Sequence, residues 1–393
     1  MYTSVPYNST ELQDIIKDLN VSLSDPACAS DHLFNIKDIK QAVSKLKPHK
    51  NEGCSELTSD HLINANDDFL CHIAFLFTAI VIHGSVPDGF LSCTIRPVPK
   101  GLNTNKSDSS NFRGIALSSL YGKILDNIVL SRYCDILMSS ELQFGFKAKH
   151  STNMCSMILK EAVSYYRQHQ TPVFCTFLDA SKAFDRLHYC KLFKLLIKRE
   201  LPGPILRVLI NTYTNSIVRV AWGGITSDYF SVVNGLKQGA VLSPVLFCVY
   251  IDDLLTLLSK AGFGCYIGPV FVGALAYADD IVLLAPTPTA LRKMLAICEK
   301  FAADFCIRFN SLKTKCLVFV PTCRRIMHEH FKRCIFYLDN MPIEIVDSFL
   351  HLGHLFTSDL KDDADIIKAR TTFIRQANNV LCYFRKLQPY VRY

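Results

Sequence analysis

The chain has 393 residues, 49% of them hydrophobic and 20% charged, with a formal net charge of +8. This is a globular composition long enough for about two or three domains, and its modest basic excess suits a polyanionic partner, although there is no basic tail. The longest apolar run, LCHIAFLFTAIVI at 70–82, is too short to span a bilayer, so no membrane partner is expected.

The first 35 residues show little pattern. Residues 36–47 are spaced as an amphipathic helix that stops before Pro48, and KPHKNEGCSE at 47–56 is a polar loop. Helices are expected over about 57–83 with a break near NANDD, the 70–82 run reading as a buried helix. GSVPDGF turns the chain into SCTIRPVPK, a strand-like stretch at 92–100, and then into the exposed loop GLNTNKSDSSN. RGIALSS (113–119) is extended, and 120–138 and 153–168 carry helical spacing. TPVFCTFLDAS (171–181) opens on Pro and continues with β-branched and aromatic residues, as a buried strand does. KLFKLLIKREL is a helix closed by PGP, and 216–235 alternates like a hairpin. SPVLFCVYIDDLLTLLSKAG (243–262) begins on Ser and Pro and ends on Gly, the punctuation of a helix. VGALAYADDIVLLAP (272–286) is two short apolar arms around Asp-Asp; then come an amphipathic helix at 289–305, the strands KCLVFVP and IFYL, and a basic helical segment at 362–387.

Sixteen cysteines occur without a CxxC pair, and the N-terminus has no secretory signal. They are expected as reduced, buried thiols of an intracellular protein. Cys323, His328, His330 and Cys334 come nearest to a zinc cluster, but their spacing fits no common finger, and a loop with scattered polar residues is the plainer reading.

The letters YxDD occur twice, as YIDD at 250–253 and YADD at 277–280. Adjacent carboxylates on an apolar stretch are costly to bury and call for a cation. Asp252 and Asp253 fall inside a helix, where successive side chains diverge by about 100°. They are expected to be solvated acids on its surface. Asp279 and Asp280 stand between two apolar arms, as at the tip of a tight β-hairpin, and are the better metal site. Asp179, at the end of a buried strand, supplies a third carboxylate. Acids from neighbouring strands can hold two divalent ions roughly 3.5–4 Å apart, and Mg²⁺ needs only a few carboxylates beside substrate phosphates.

Five stretches in this order, TFLDASKAFDRLHY, NGLKQGAVLSPVLF, AYADDIVLLA, FNSLKTKCLVF and SFLHLGHLF, resemble the palm motifs of reverse transcriptases of non-LTR (LINE-type) retrotransposons. LKPHKNEGCSELTSDHL, IRPVPK, NFRGIALSS and QFGFKAKHST are similar to the finger motifs of that family, so the likeness covers about 36–386. It implies an α+β right-hand polymerase: a segment 1–35, fingers at 36–171, a palm with an antiparallel sheet at 172–325, and the primer grip with the start of a thumb at 326–393. The implied activity is RNA-directed DNA synthesis on an RNA template, extending a DNA primer with dNTPs, with two Mg²⁺ ions and Mn²⁺ as the alternative. Asp179 and Asp279 would hold both metals, with Asp280 beside them and Ala180 adding a carbonyl. Phe184 would be the steric gate against a 2′-hydroxyl, and Gln238 and Gly239 would lie against the nascent base pair and template, Gly239 because only a residue without Cβ allows such close approach. Arg113, and more weakly Lys100, would clamp the triphosphate. Lys313 would protonate the pyrophosphate, although its pattern alone equally suits a solvated strand-edge lysine. Leu352 and Gly353 would belong to the primer grip.

Four stretches depart from that family's usual pattern. Gly114 stands where Pro is usual, Cys306 and Lys149 where Gly is usual, and NEGCSE where GPDG is usual. The endonuclease and Cys/His knuckle that flank such polymerases are not seen, so the sequence reads as the polymerase core of a truncated element copy. The alternative function is an inactive remnant that only binds RNA or RNA/DNA hybrid. An RNA-dependent RNA polymerase is disfavoured by Phe184 and the YxDD form. By resemblance, the protein is expected in the nucleus or cytoplasm.

Overall fold

The computed structural model describes residues 9–22, 33–53, 56–101, 105, 107–321, 331 and 333–385. The chain is α+β and divides into two compact units, each assembled from three stretches: 1–140, 180–253 and 301–308 form the first, and 141–179, 254–300 and 309–393 the second.

The first unit joins helices to a mixed five-stranded sheet. Strand Ser92–Pro99 pairs antiparallel with Phe112–Ser118 on one side and parallel with Ile217–Trp222 on the other. Ile225–Thr226 and Phe230–Ser231 both fold back antiparallel onto Ile217–Trp222, giving the alternation at 216–235 its hairpin. Helix Asp67–His83 starts at the Asn66 cap, whose side chain accepts the Phe69 N–H, and ends at Gly84 with φ of 64°. It is not wholly buried as its composition suggests: Phe77, Ile80 and Val81 are inside, while Phe75 and Ile82 are 74% and 47% exposed. Residues 1–35, weakly patterned, nevertheless include helix Ser9–Ser22, which buries Leu12, Ile15 and Leu19 at helical spacing. PGP at 202–204 does more than close a helix. Pro202 precedes, and Pro204 sits in, the first turn of another helix, Gly203–Thr214, where a missing N–H costs nothing.

The second unit is built on a six-stranded sheet in the order Phe336–Leu338, Met341–Ile345, Lys315–Phe319, Val173–Leu178, Asp280–Ala285 and Ala274–Tyr277. The central strand, Val173–Leu178, is buried at every position, which its β-branched and aromatic residues suit. Helix Thr152–Gln168 lays Cys155, Leu159, Ala162 and Val163 on one face of the sheet, against Cys175, Phe177, Leu275 and Val282. A hairpin, Ser348–His351 with His354–Thr357, follows. Helix Asp363–Phe384 comes next and buries none of its side chains.

All the described cysteines are free, and most are buried. Cys323, His328 and His330 lie outside the described residues. No helix among the described residues is long and apolar enough to cross a membrane.

Candidate active site

The acids meet through strand register. Asp280–Ala285 runs antiparallel to Val173–Leu178 with Ile281 opposite Leu178, so the next residues outward, Asp280 and Asp179, stand at the same end of adjacent strands. Asp280 also pairs with Tyr277 across the hairpin, leaving Ala278 and Asp279 as a two-residue turn. The turn is tight because Ala278 takes a left-handed backbone, φ 58°, a conformation that costs an L-residue about 1–2 kcal/mol.

Lys313 is brought to the same place by a second turn. The Asn310 N–H donates to the Asp179 carbonyl at 2.7 Å, and the Asn310 side-chain oxygen accepts the N–H groups of Leu312 and Lys313 at 3.1 and 3.3 Å. Thr314 is fully buried and accepts the Asp179 N–H at 3.4 Å. So tethered, the FNSLKT motif holds Lys313 Nζ 3.7 Å from the Asp179 carboxylate.

Loss of hydration, then the negative charges of Asp279 and Asp179, push the Asp280 carboxyl up to about 6. The Asp280 residue is exposed, so this site is open to solvent on one side. Like charges held together at the end of a sheet suit a hard cation with oxygen ligands, because the cation relieves the repulsion that raises Asp280. Among the described residues no group of three or more His, Cys, Asp or Glu is arranged to hold a metal ion by itself. An open site fits Mg²⁺, which keeps several waters and takes substrate phosphates as ligands. The carboxylate oxygens of Asp179, Asp279 and Asp280 are of the donor type such an ion takes.

The remaining candidates belong to the first unit, with Ala180 next to Asp179 in sequence. Phe184 is half-buried and stacks on Phe247 with ring centroids 4.6 Å apart. The Phe184 carbonyl accepts the Leu236 N–H at 2.8 Å, and Ala116 N–H donates to the Gln238 carbonyl at 2.7 Å, so the 234–239 loop is stitched to both neighbours. Gln238 donates its amide to Asp185 at 3.3 Å. Burial raises Asp185, partly offset by that hydrogen bond and by the charges of Lys182 and Lys100. At Gly239, φ is 108° and an added Cβ would lie 3.0 Å from the Ala116 carbonyl oxygen, so the glycine is required by its own backbone neighbours. Arg113 is exposed on the strand opposite Val98, and Lys100 follows the same strand pair, its N–H donating to the Asn111 carbonyl at 2.8 Å.

YIDD differs from expectation. Asp252 is not a solvated surface acid but is buried, its carboxylate 2.6 Å from Arg199 and accepting the Ser140 N–H at 2.8 Å. Asp253 pairs with Lys198 at 2.8 Å. Helix Ser243–Ala261 turns the two acids toward two different cations, which the two-letter pair does not reveal.

A family model described as reverse transcriptase (RNA-dependent DNA polymerase) matches residues 104–355, more than half of the chain. This chain belongs to the reverse transcriptase family. It is 27% identical over 254 residues to the Pol polyprotein of the type-1 retrotransposable element R2 of Nasonia vitripennis, covering 64% of this chain and 24% of that protein. It is 27% identical over 305 residues to the RNA-directed DNA polymerase from mobile element jockey of Drosophila funebris, covering 74% and 32%. A third relative, the probable RNA-directed DNA polymerase from transposon X-element of Drosophila melanogaster, is 28% identical over 192 residues, covering 47% and 21%. These are polymerases of non-LTR retrotransposons, and this is a reverse transcriptase domain of that kind. The chain spans about a fifth to a third of the length of these relatives.

Two of the departures from the family pattern now have a physical setting. Cys306 and Lys149 stand where glycine is usual, and both take left-handed backbones, φ 56° and 62°. The backbone conformation that glycine adopts freely is kept, at the cost that a side chain adds.

Sequence reasoning named the acids but not their support. Gln143 and Asp185 lie in quoted motifs, QFGFKAKHST and FLDASKAFD, yet were assigned no role. The signal available is a polar residue in a motif, which does not disclose the distant group it touches, the Ala278 backbone for Gln143 and the Gln238 amide for Asp185.

Proposed function

We propose that this domain is an RNA-directed DNA polymerase that extends a primer 3′-hydroxyl with dNTPs on an RNA template. The observation that carries this is the gathering of Asp179, Asp279 and Asp280 at one end of the second unit's sheet, with Lys313 3.7 Å from Asp179. Asp179, Asp279 and Asp280, with the Ala180 carbonyl, would hold two divalent ions, Mg²⁺ or Mn²⁺. When bound, the ions lower the pKa of the attacking 3′-hydroxyl and neutralise the departing pyrophosphate. The protein's own part is positioning and charge. Lys313 hands a proton to the pyrophosphate. Arg113, assisted by Lys100, holds the triphosphate through the guanidinium fork. Phe184, braced by its stack on Phe247, excludes a 2′-hydroxyl, and Gln238 with Gly239 supports the nascent pair. In right-hand terms, the fingers are 36–171, the palm 172–325, and the primer grip and first part of the thumb 326–393, with Leu352 and Gly353 in the grip; its place of work is the nucleus or cytoplasm.

The test is primer extension on poly(rA)/oligo(dT) with Mg²⁺, comparing the intact chain with Asp279→Ala. Extension by the first alone supports the proposal. A folded, hybrid-binding wild-type chain that extends nothing overturns it in favour of a binding-only role.

A further inference from the structure

Gln143 lies far from the acids in sequence, and no step above uses it. It is fully buried in the second unit. Its Oε1 accepts the Ala278 N–H at 2.8 Å and the Gly145 N–H at 2.9 Å, and its Nε2 donates to the Ala278 carbonyl at 3.4 Å. Two N–H groups converge on one end of the amide, so that end is its oxygen. One side chain thus holds both backbone groups of the residue that makes the YADD turn.

The backbone around it repeats the attachment. Phe144 N–H donates to the Ala276 carbonyl at 2.7 Å, and Ala276 N–H to the Leu142 carbonyl at 2.8 Å, so residues 142–144 lie along the Ala274–Tyr277 strand as a short parallel addition. Gly145 completes the fit: an added Cβ would stand 2.5 Å from the Ala278 nitrogen. Ala278 is buried, holds φ at 58°, and precedes Asp279 directly. A two-residue turn with a left-handed alanine has other backbone conformations within reach, and each would aim the Asp279 carboxylate elsewhere.

We propose that Gln143, with Gly145 beneath it, is the positioning residue of the catalytic hairpin, fixing the Ala278 backbone so that Asp279 and Asp280 present their carboxylates together to the metal ions. The proposal rests on the reading of those acids as metal ligands. A neutral amide suits the task, since it satisfies a donor and an acceptor at once without adding charge beside carboxylates.

The test is direct metal binding by the full chain with primer-template bound. Mn²⁺ is titrated and free Mn²⁺ followed by electron paramagnetic resonance, with kcat and dNTP KM measured in parallel. Gln143→Met keeps the size and loses both hydrogen-bonding ends. Gly145→Ala disturbs the same turn from the other side and stands in if the first variant fails to fold. Each is expected to weaken Mn²⁺ binding by about tenfold, the scale seen when the support behind a metal ligand is removed, and to lower kcat more than it raises the dNTP KM, with hybrid binding unchanged. Wild-type Mn²⁺ affinity in a folded Gln143→Met or Gly145→Ala chain overturns the proposal. Asp279→Ala separates the two layers: if it too binds Mn²⁺ as wild type, the assignment of the acids has failed rather than the role of Gln143 alone.

Discussion

The two YxDD stretches share three of four residues and nothing of their physics. In YIDD the tyrosine is a core residue: Tyr250 is fully buried, its hydroxyl donates to the Phe305 carbonyl at 2.6 Å and accepts the His188 N–H at 3.3 Å. Its acids are each matched to a cation, Asp252 to Arg199 and Asp253 to Lys198. In YADD the tyrosine ends a strand, the alanine bends the chain, and the acids face a third acid across the sheet; loss of hydration first, then the charges of Asp279 and Asp179, raise Asp280 to about 6. One pair has spent its charge on two cations of the fold, while in the other Asp280 feels the charges of Asp279 and Asp179. The period of the surrounding apolar residues makes the difference, since a helix turns adjacent carboxylates apart and a two-residue hairpin gathers them at its tip.

The largest expected effect tests that contrast directly. Asp279→Ala should lower extension by on the order of 10³-fold or more, as removal of a charge-stabilising part does in phosphoryl transfer, with little change in thermal midpoint or hybrid binding. Asp252→Ala should do the reverse, costing about 3–5 kcal/mol of stability by leaving the Arg199 guanidinium largely buried without its partner. Primer extension and urea denaturation of the two variants together measure both, and equal losses of stability would remove the distinction between the pairs.

A smaller effect follows from Asp280 in the metal-free chain. Its folded pKa of about 6 lies above the ordinary 3.8, so the folded state keeps a proton that the unfolded chain gives up. The resulting stabilisation is fully present below about pH 3.8 and is lost as pH rises through 6. Asp126, half-buried in the first unit, is also raised to about 6 by lost hydration and titrates in the same window. The informative quantity is therefore the difference between wild type and Asp280→Asn in EDTA from pH 4 to 7. The variant should lose less stability across that span, and parallel curves would mean that neither lost hydration nor its acidic neighbours raise Asp280.

The hairpin and the buried strand carrying Asp179 were legible in the sequence because each is written locally, by two apolar arms and by a β-branched and aromatic run. The support of the site was not. Gln143 reaches Ala278 across 135 positions of sequence, and nothing near Ala278 announces a left-handed backbone, since alanine there is the residue least expected to adopt one. Asp252 departs from its expected solvated setting for the same reason, as its partner Arg199, 53 positions away, caps the end of another helix. Helix Gly203–Thr214 was hidden by punctuation, because a proline that ends one helix can also open the next.

The finest distinction lies within YIDD itself. Asp253 and Lys198 form an ion pair as short as many buried ones, 2.8 Å, but the lysine side chain is 67% exposed and the aspartate 27%. Water screens such a pair, and ordering the long lysine side chain offsets much of the attraction, so Asp253→Ala should cost less than about 1 kcal/mol. Arg199, by contrast, is 19% exposed and also donates to the carbonyls of Ile136 and Met138, so removing Asp252 strands a guanidinium that is already committed to the fold. Denaturation midpoints for the two single variants and the double variant measure this directly, with the double expected to fall at the sum of the singles because the acids hold different cations. A cost for Asp253→Ala as large as that for Asp252→Ala would mean that adjacency in sequence, rather than burial of the partner, sets what a carboxylate contributes here.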